Sequence, residues 1–243
     1  MRSNVLIVLL LILPVILKSQ NAKNISTLPV VNKNNSIGIS VGECLSTGDF
    51  AIDNVYSEKA GLAGNGLSIN AIYKHYYPSN LGIAIKGYFN FNEFKSEKLC
   101  EMLSSALNYS FISSEGKYSS YGLLIGPMLK VPIDKLSLNF HVLFGFGGLT
   151  EPEITFTVLS GNNFGWLKMS EINSNAFVFN PGGGLLYTVN DNWDIFAYID
   201  YLEGSFEFGN YVLSNSAGQN ENIARGTQKY QAFTLSTGLA LKF

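Results

Sequence analysis

The stretch TLSTGLALKF, Thr234–Phe243, gives the strongest indication of how this chain folds. Its small or polar residues alternate with apolar ones such as Leu239 and Leu241, and it ends on the aromatic Phe243. Successive side chains of a β-strand point to opposite faces of the sheet. We therefore expect this stretch to be a strand in a sheet that has one apolar surface.

The same alternation recurs along the chain and predicts eight strands in all. The predicted strands lie at about 36–45, 64–77, 81–94, 118–131, 136–149, 175–189, 193–206 and 230–243. The connections between them are long and short in turn, with short polar turns such as Pro78-Ser79-Asn80 and Asn190-Asp191-Asn192. This rhythm is typical of an all-β, up-and-down antiparallel transmembrane β-barrel with short turns at one end and long loops at the other.

The first residues predict a secretory signal peptide at 1–19. Arg2 precedes an apolar run from Val5 to Leu17, which is shorter than the roughly 20 residues that a membrane helix needs. An uncleaved membrane anchor is the alternative interpretation. Residues 20–35 are polar and rich in asparagine, so we expect a flexible periplasmic segment before a barrel domain at 36–243.

The composition favours a barrel whose outer surface is in lipid. Charged residues make up 14% of the chain, well below the roughly 25% of soluble domains, and there are 24 glycines. A net charge of −2 gives no basic surface for nucleic acid. A soluble barrel of the lipocalin type would show the same alternation with its apolar face inward. The terminal Phe243, the rhythm of the loops and the low charge favour the membrane instead.

With these strands and turns in place, the chain resembles the small outer-membrane β-barrels, such as outer membrane protein X and the porin-like membrane domain of outer membrane protein A. The stretch NPGGGLLYTVNDNWDIFAYIDY, Asn180–Tyr201, and the closing strand carry the resemblance. It implies localisation in the outer membrane of a Gram-negative bacterium. Members of the family act as structural proteins, adhesins, small pores and, in a few cases, lipid-modifying enzymes.

The resemblance also implies partners and the residues that meet them. The partners are outer-membrane lipid, the barrel-assembly machinery and a surface ligand or protein held by the long loops. Leu239, Leu241 and Phe243 match the C-terminal insertion signal that the assembly machinery would read. An aromatic girdle at the periplasmic rim is expected from Tyr73, Tyr77, Tyr187 and Trp193.

Several charged residues fall on the inward face of the predicted strands. They are Lys74, Lys86, Lys130, His141, Asp194, Asp200 and Lys242. Charges in a narrow barrel must pair or reach water. We expect a salt-bridge network that fills the interior, and a narrow ion path lined by these residues is the alternative.

The sequence gives little support to catalysis. Of the two histidines, His75 is predicted at the periplasmic rim and His141 inside the barrel, so neither lies near the outer leaflet where a lipid-modifying enzyme would need its general base. The glycine-rich stretch Gly182–Gly184 has no helix after it to form a phosphate loop. We expect no enzyme activity, no cofactor and no metal site. The predicted role is structural or surface-interacting, with a passive pore as the alternative.

The two cysteines, Cys44 and Cys100, leave two alternatives open. They can form a disulfide in an oxidising periplasm, or remain two thiols with one inside the barrel and one in a loop. Cys100 belongs to KSEKLCEMLSSALN in the second long loop, where apolar residues at helical spacing predict a short amphipathic helix.

Overall fold

A computed structural model describes residues 33–160 and 163–243 of the chain. The expected signal peptide at 1–19 and nearly all of the polar segment at 20–35 lie outside these residues. The strands are β1 (Asn35–Ser46), β2 (Ala63–Tyr76), β3 (Leu81–Phe94), β4 (Ser110–Ser113), β5 (Gly116–Ile133), β6 (Leu136–Glu151), β7 (Ile154–Ser160), β8 (Asn163–Met169), β9 (Ile172–Thr188), β10 (Trp193–Asn215) and β11 (Asn220–Lys242). The helices are α1 (Gly48–Ala51) and α2 (Ser96–Leu107).

Eight of these strands form a closed antiparallel ring in the order β1-β2-β3-β5-β6-β9-β10-β11. The ring closes where β11 pairs with β1, in a register that runs from Ser36 opposite Lys242 to Ser46 opposite Ala232. Closure leaves no sheet edge along the wall, so the backbone groups of the ring are satisfied by neighbouring strands. The prediction of a single eight-stranded up-and-down barrel is confirmed.

Short turns join the ring strands at one end of the barrel, as expected. Asn80 and Asp134 adopt left-handed backbone angles in two of them, with φ of 64° and 57°. Asparagine and aspartate tolerate this conformation better than other residues with a Cβ. The Asn80 amide also donates to the Tyr77 carbonyl at 3.0 Å, which closes the β2–β3 turn.

The last connection at the other end differs from the expected long loop over Glu207–Lys229. There β10 and β11 continue as one hairpin, paired from Trp193 opposite Leu241 up to Ser214 opposite Asn220. Each strand has 23 residues, more than twice the roughly 9–11 that cross a bilayer. The alternation of inward and outward side chains continues beyond the height of the bilayer, where Phe206 and Phe208 still point inward and are buried. This continued alternation explains the length of the hairpin.

The other connections at this end build a small folded unit, which we call the cap. It consists of α2, β4, β7, β8 and the upper end of β10, joined as the sheet β10-β8-β7-β4. Its own hydrophobic core contains Cys100, Ile154 and Phe156, with Phe94 from the top of β3 packed against them. The predicted amphipathic helix is present as α2, because its apolar face covers this sheet.

The main core fills the ring interior and runs along most of its length. Large buried side chains include Tyr88, Leu143, Phe196, Phe206 and Tyr230. Neither helix of the described residues is long and apolar enough to cross a membrane.

Candidate functional site

A buried ion pair lies at the centre of the barrel. The ammonium group of Lys86 on β3 is 2.6 Å from the Asp200 carboxylate on β10 and donates to the Asn180 side-chain oxygen at 3.2 Å. Both charged side chains are at most 5% exposed. Such a pair is stable only when further polar contacts satisfy both groups. Asn180 supplies one of these contacts for Lys86.

His141 on β6 faces the second oxygen of the same carboxylate. Its Nε2 atom lies 2.8 Å from Asp200 Oδ1, although the two groups are not aligned for a hydrogen bond. Gly182 on β9 lies beside them and makes this approach possible, since a Cβ there would be 1.9 Å from Asp200 Oδ1 and 2.6 Å from His141 Nε2. The glycine is therefore required by the cluster of charges.

Lys74 is fully buried nearby and has aromatic partners. Its ammonium group donates to the Tyr198 hydroxyl at 2.9 Å and lies 4.6 Å from the centre of the Phe196 ring. The face of an aromatic ring carries partial negative charge and attracts a cation. Within the described part of the chain Lys74 forms no salt bridge, so these rings and the hydroxyl are its direct partners.

The remaining predicted interior charges lie towards the end with the short turns. Lys242 is 2.9 Å from the Asp194 carboxylate, and Lys130 lies 5.2 Å from the centre of the Tyr76 ring. Asp194 is buried, while the two lysines are partly exposed at this mouth. The structure thus places all seven residues on the inner side of the wall, in a central group and a lower group.

Sequence reasoning missed a second set of polar contacts in the upper half of the interior. The Asn90 amide donates to the Tyr230 hydroxyl at 3.0 Å, and the Cys44 thiol lies 3.5 Å from the same hydroxyl. Asn92 donates to the Ser46 hydroxyl at 3.0 Å. The alternation in the sequence shows that these residues lie on the inward face of their strands. It does not show which neighbour forms a hydrogen bond with an uncharged side chain.

Little space remains between these side chains. The cavity beside Lys86, His141 and Asp200 has a volume of about 10 Å³. That is at most about the space that a single water needs. At this level the interior is filled by protein.

The outside of the ring is apolar. Ile39 is 69% exposed, Leu123 64% and Phe146 74%, whereas the inward neighbours Ser40, Leu124 and Gly147 lie in or against the interior. A barrel with charges inside and an apolar wall outside is stable in lipid and not in water. The chain is a transmembrane β-barrel. The soluble alternative is therefore wrong, because its apolar face would have to point inward.

Comparisons with known proteins add only the general architecture. No protein-family model and no curated protein matches the sequence. Among solved structures, the barrel is similar to the attachment invasion locus protein of Yersinia pestis, at 16% identity and a TM-score of 0.44 over 86% of this chain and 97% of that one. It is also similar to Neisserial surface protein A, at 11% identity and a TM-score of 0.45 over 86% and 97%. A major outer membrane protein from Thermus thermophilus gives 13% identity and a TM-score of 0.49 over 86% and 99%.

The residues of the predicted aromatic girdle lie at the end with the short turns. Tyr77, Tyr187 and Trp193 are each about half exposed on the outer wall. Tyr73 is less exposed and donates to the Asn35 side chain at 2.8 Å. Amphipathic rings at this height suit the boundary between acyl chains and head groups.

The residues of the expected insertion signal lie on the outer side of the end of β11 and of the residue that follows it. Leu239, Leu241 and Phe243 are exposed to the lipid side, and Ala240 between them is buried. Their recognition by the assembly machinery stays a prediction.

The two cysteines are free thiols in different parts of the molecule. Cys44 belongs to the barrel core and Cys100 to the core of the cap, so each is surrounded by its own cluster. Cys44 and Cys100 form no disulfide in this structure. The structure agrees with the alternative of two separate thiols.

The cap presents one face outward. Ile112 on β4, Thr157 on β7 and Trp166 on β8 are neighbours in register across this face. Ile112 is 59% exposed and Trp166 40% exposed. We call this row the cap face. It combines an aliphatic, a hydroxyl and an aromatic side chain outside the membrane.

A cavity of about 300 Å³, which we call the vestibule, lies between the cap and the extracellular mouth of the barrel. On one side Arg225 and Glu151 form a two-pronged pair, with Nε–Oε2 and Nη2–Oε1 distances of 2.9 and 2.8 Å. Leu62, Phe94 and Met169 are among its apolar lining residues.

Proposed function

We propose that this protein is a non-enzymatic surface-interaction barrel, in which the wall anchors the chain and the cap makes the contacts. The observation that carries the proposal is a cap with its own hydrophobic core above a filled barrel interior. Loops without a function to perform need no core of their own. A preformed surface loses less conformational entropy on binding than a flexible loop would.

The filled interior supports a plug rather than the alternative of a passive pore. The central residues Lys86, Asp200 and His141 contact one another across the barrel instead of lining an open path. An eight-stranded barrel is just wide enough for its side chains to fill it. In planar bilayers we expect no steady conductance from the wild-type barrel. Steady single-channel currents that change in Lys86→Ala would favour the pore.

The positions of the histidines support a role without catalysis. His141 is buried in the barrel interior, and His75 contacts Asn35 at 2.8 Å at the periplasmic rim. A general base must reach the proton that it removes. Neither ring is at the extracellular surface, where the outer leaflet would present its substrate.

Cell retention tests the surface role. Cells that display the barrel are passed over immobilised mucin, collagen and a layer of the same cells, beside cells without the barrel. We expect retention on at least one surface, and a loss of it in the double variant Ile112→Ser/Trp166→Ser, which changes only the cap face. The control is Leu123→Ala on the lipid-facing wall. Cells that display this variant should be retained like cells with the wild-type barrel.

Equal retention of cells with and without the barrel on all three surfaces would contradict the surface role. Retention that persists in the cap-face variant would contradict the part that the proposal assigns to the cap.

A further inference from the structure

The vestibule has the size and position of a ligand site. Its volume of about 300 Å³ is at the lower end of the range for small-molecule pockets. It is bounded by the first loop, the cap and the tops of several ring strands, and such junctions are frequent places for binding sites. Because the centre of the barrel below is filled, a molecule that enters the vestibule from the medium does not pass on through the barrel.

The Arg225–Glu151 pair carries no net charge, and the exposed carboxylate of Glu58 in the same lining disfavours an anionic ligand. The side chains of Arg225 and Glu151 are 19% and 11% exposed, and each neutralises the other. Arg225 also donates to the Gln228 side chain at 3.0 Å, which fixes its plane. A rigid, paired guanidinium and carboxylate still offer hydrogen bonds at their edges. They therefore suit a ligand with hydroxyl groups.

Two tyrosines add polar contacts of different kinds. Tyr118 is buried, and its hydroxyl donates to the Gly61 carbonyl at 2.6 Å, so it holds the first loop in place. Tyr211 is partly exposed, and among the described residues its hydroxyl has no hydrogen-bond partner. A tyrosine hydroxyl keeps its proton at neutral pH, and burial raises the pKa of Tyr211 further, so this hydroxyl can donate.

Another part of the lining is apolar. Leu62, Phe94, Leu99 and Met169 form it, and Phe94 and Met169 pack against the core of the cap. A ligand that contacts both parts of the lining therefore needs apolar groups as well as hydroxyl groups. A six-membered sugar ring has both, with C–H groups on its faces and hydroxyls on its rim.

We infer that the vestibule binds a neutral sugar ring, with Tyr211 and the Arg225–Glu151 pair at its hydroxyls and the Leu62–Phe94 wall against its apolar face. This inference rests on the proposed surface-interaction function and names a ligand class for it. The cap face and the vestibule are separate surfaces, so one can fail without the other.

The test is saturation-transfer NMR on the full barrel in lipid nanodiscs. The probes are the methyl glycosides of glucose, galactose, mannose and N-acetylglucosamine, with glucose 6-sulfate as a charged comparison. At least one neutral glycoside is expected to bind. Tyr211→Phe removes one hydroxyl and should weaken that binding by about 2- to 10-fold, the usual effect of one neutral hydrogen bond.

Two further variants separate a local effect from misfolding. Val55→Trp places a large ring at the vestibule wall and should abolish binding. Tyr109→Phe, at an exposed tyrosine that does not line the vestibule, should leave it unchanged. Each variant must show the same shift in gel migration on boiling as wild type before its binding is compared.

Three results would overturn the inference. They are no transfer to any neutral glycoside, binding of the sulfated sugar alone, and binding that Tyr211→Phe and Val55→Trp both leave unchanged. If cells are still retained through the cap face while no glycoside binds, only this inference fails. If retention is lost on every surface, the proposed function fails as well.

Discussion

At the scale of single residues, the centre of the barrel depends on close approach. Gly182 has no side chain, and this allows the Asp200 carboxylate and the His141 ring to lie against the β9 backbone. The pair of Asp200 with Lys86 is buried at the same level. Stability at this level therefore depends on the size of one residue and on the charge of two others.

Gly182→Ala is expected to destabilise the barrel by about 1–3 kcal/mol, the usual effect of overpacking a core. The added methyl group would overlap Asp200 Oδ1 and force the carboxylate away from its partners. Urea unfolding in phospholipid vesicles measures the change. Gly209→Ala is the matched control, because no atom lies within 4 Å of the position of its Cβ. Equal effects of the two substitutions would contradict the packing argument.

Asp200→Asn should lower the free energy of unfolding by about 3–5 kcal/mol, since it leaves the buried Lys86 ammonium without an opposite charge. The double variant Lys86→Met/Asp200→Leu removes both charges and is expected to recover most of the loss. The same urea titration measures both. If Asp200→Asn lowers the free energy of unfolding by less than about 1 kcal/mol, as is typical of solvated ion pairs, water reaches the pair.

At the scale of elements, the connections at the extracellular end carry more structure than loops usually do. The β10–β11 hairpin continues its pairing as far as Ser214 and Asn220. Beside it, α2 and β7 share the core of the cap. These elements give the cap a stability of its own, which can be lost while the ring remains folded.

Phe156→Ala is expected to unfold the cap locally, because removing a buried phenylalanine costs about 3–5 kcal/mol. Hydrogen exchange of the α2 and β7 amides should accelerate, while the ring strands stay protected and the barrel keeps its heat-modifiable migration. Thr155→Ala, one residue away on the outer side of β7, is the control. Unchanged exchange in α2 would mean that the cap core does not hold the helix.

At the scale of the whole molecule, the barrel is stable because lipid surrounds its outer wall. Leu123 lies in the middle of its strand on that wall, and 64% of its surface is not covered by other residues. Ile112 is 59% exposed as well, but it belongs to the cap outside the membrane. The two positions have similar exposure and different surroundings, so they distinguish lipid from water directly.

Leu123→Arg should reduce the stability of the inserted barrel by about 2–4 kcal/mol, the cost of a cation near the middle of a bilayer. Ile112→Arg should change it by less than about 0.5 kcal/mol, as is usual for a surface substitution. Reversible folding into vesicles measures both. Similar small effects at the two positions would contradict the assignment of Leu123 to the lipid-facing wall.

The closed ring of strands, the short turns and the side of the wall on which each charge lies could all be predicted from the amino-acid sequence. The reason is that a strand in lipid must alternate at every residue, and this pattern is local. Lys86, His141 and Asp200 could therefore be assigned to the interior before their contacts were visible. Only the folded barrel shows which of these groups are in contact. The contacts join strands that are far apart in sequence, and they depend on the register of the barrel. The same holds for the extent of the β10–β11 hairpin, the separation of Cys44 from Cys100 and the vestibule. Each of these follows from packing between elements that no single segment of the sequence describes.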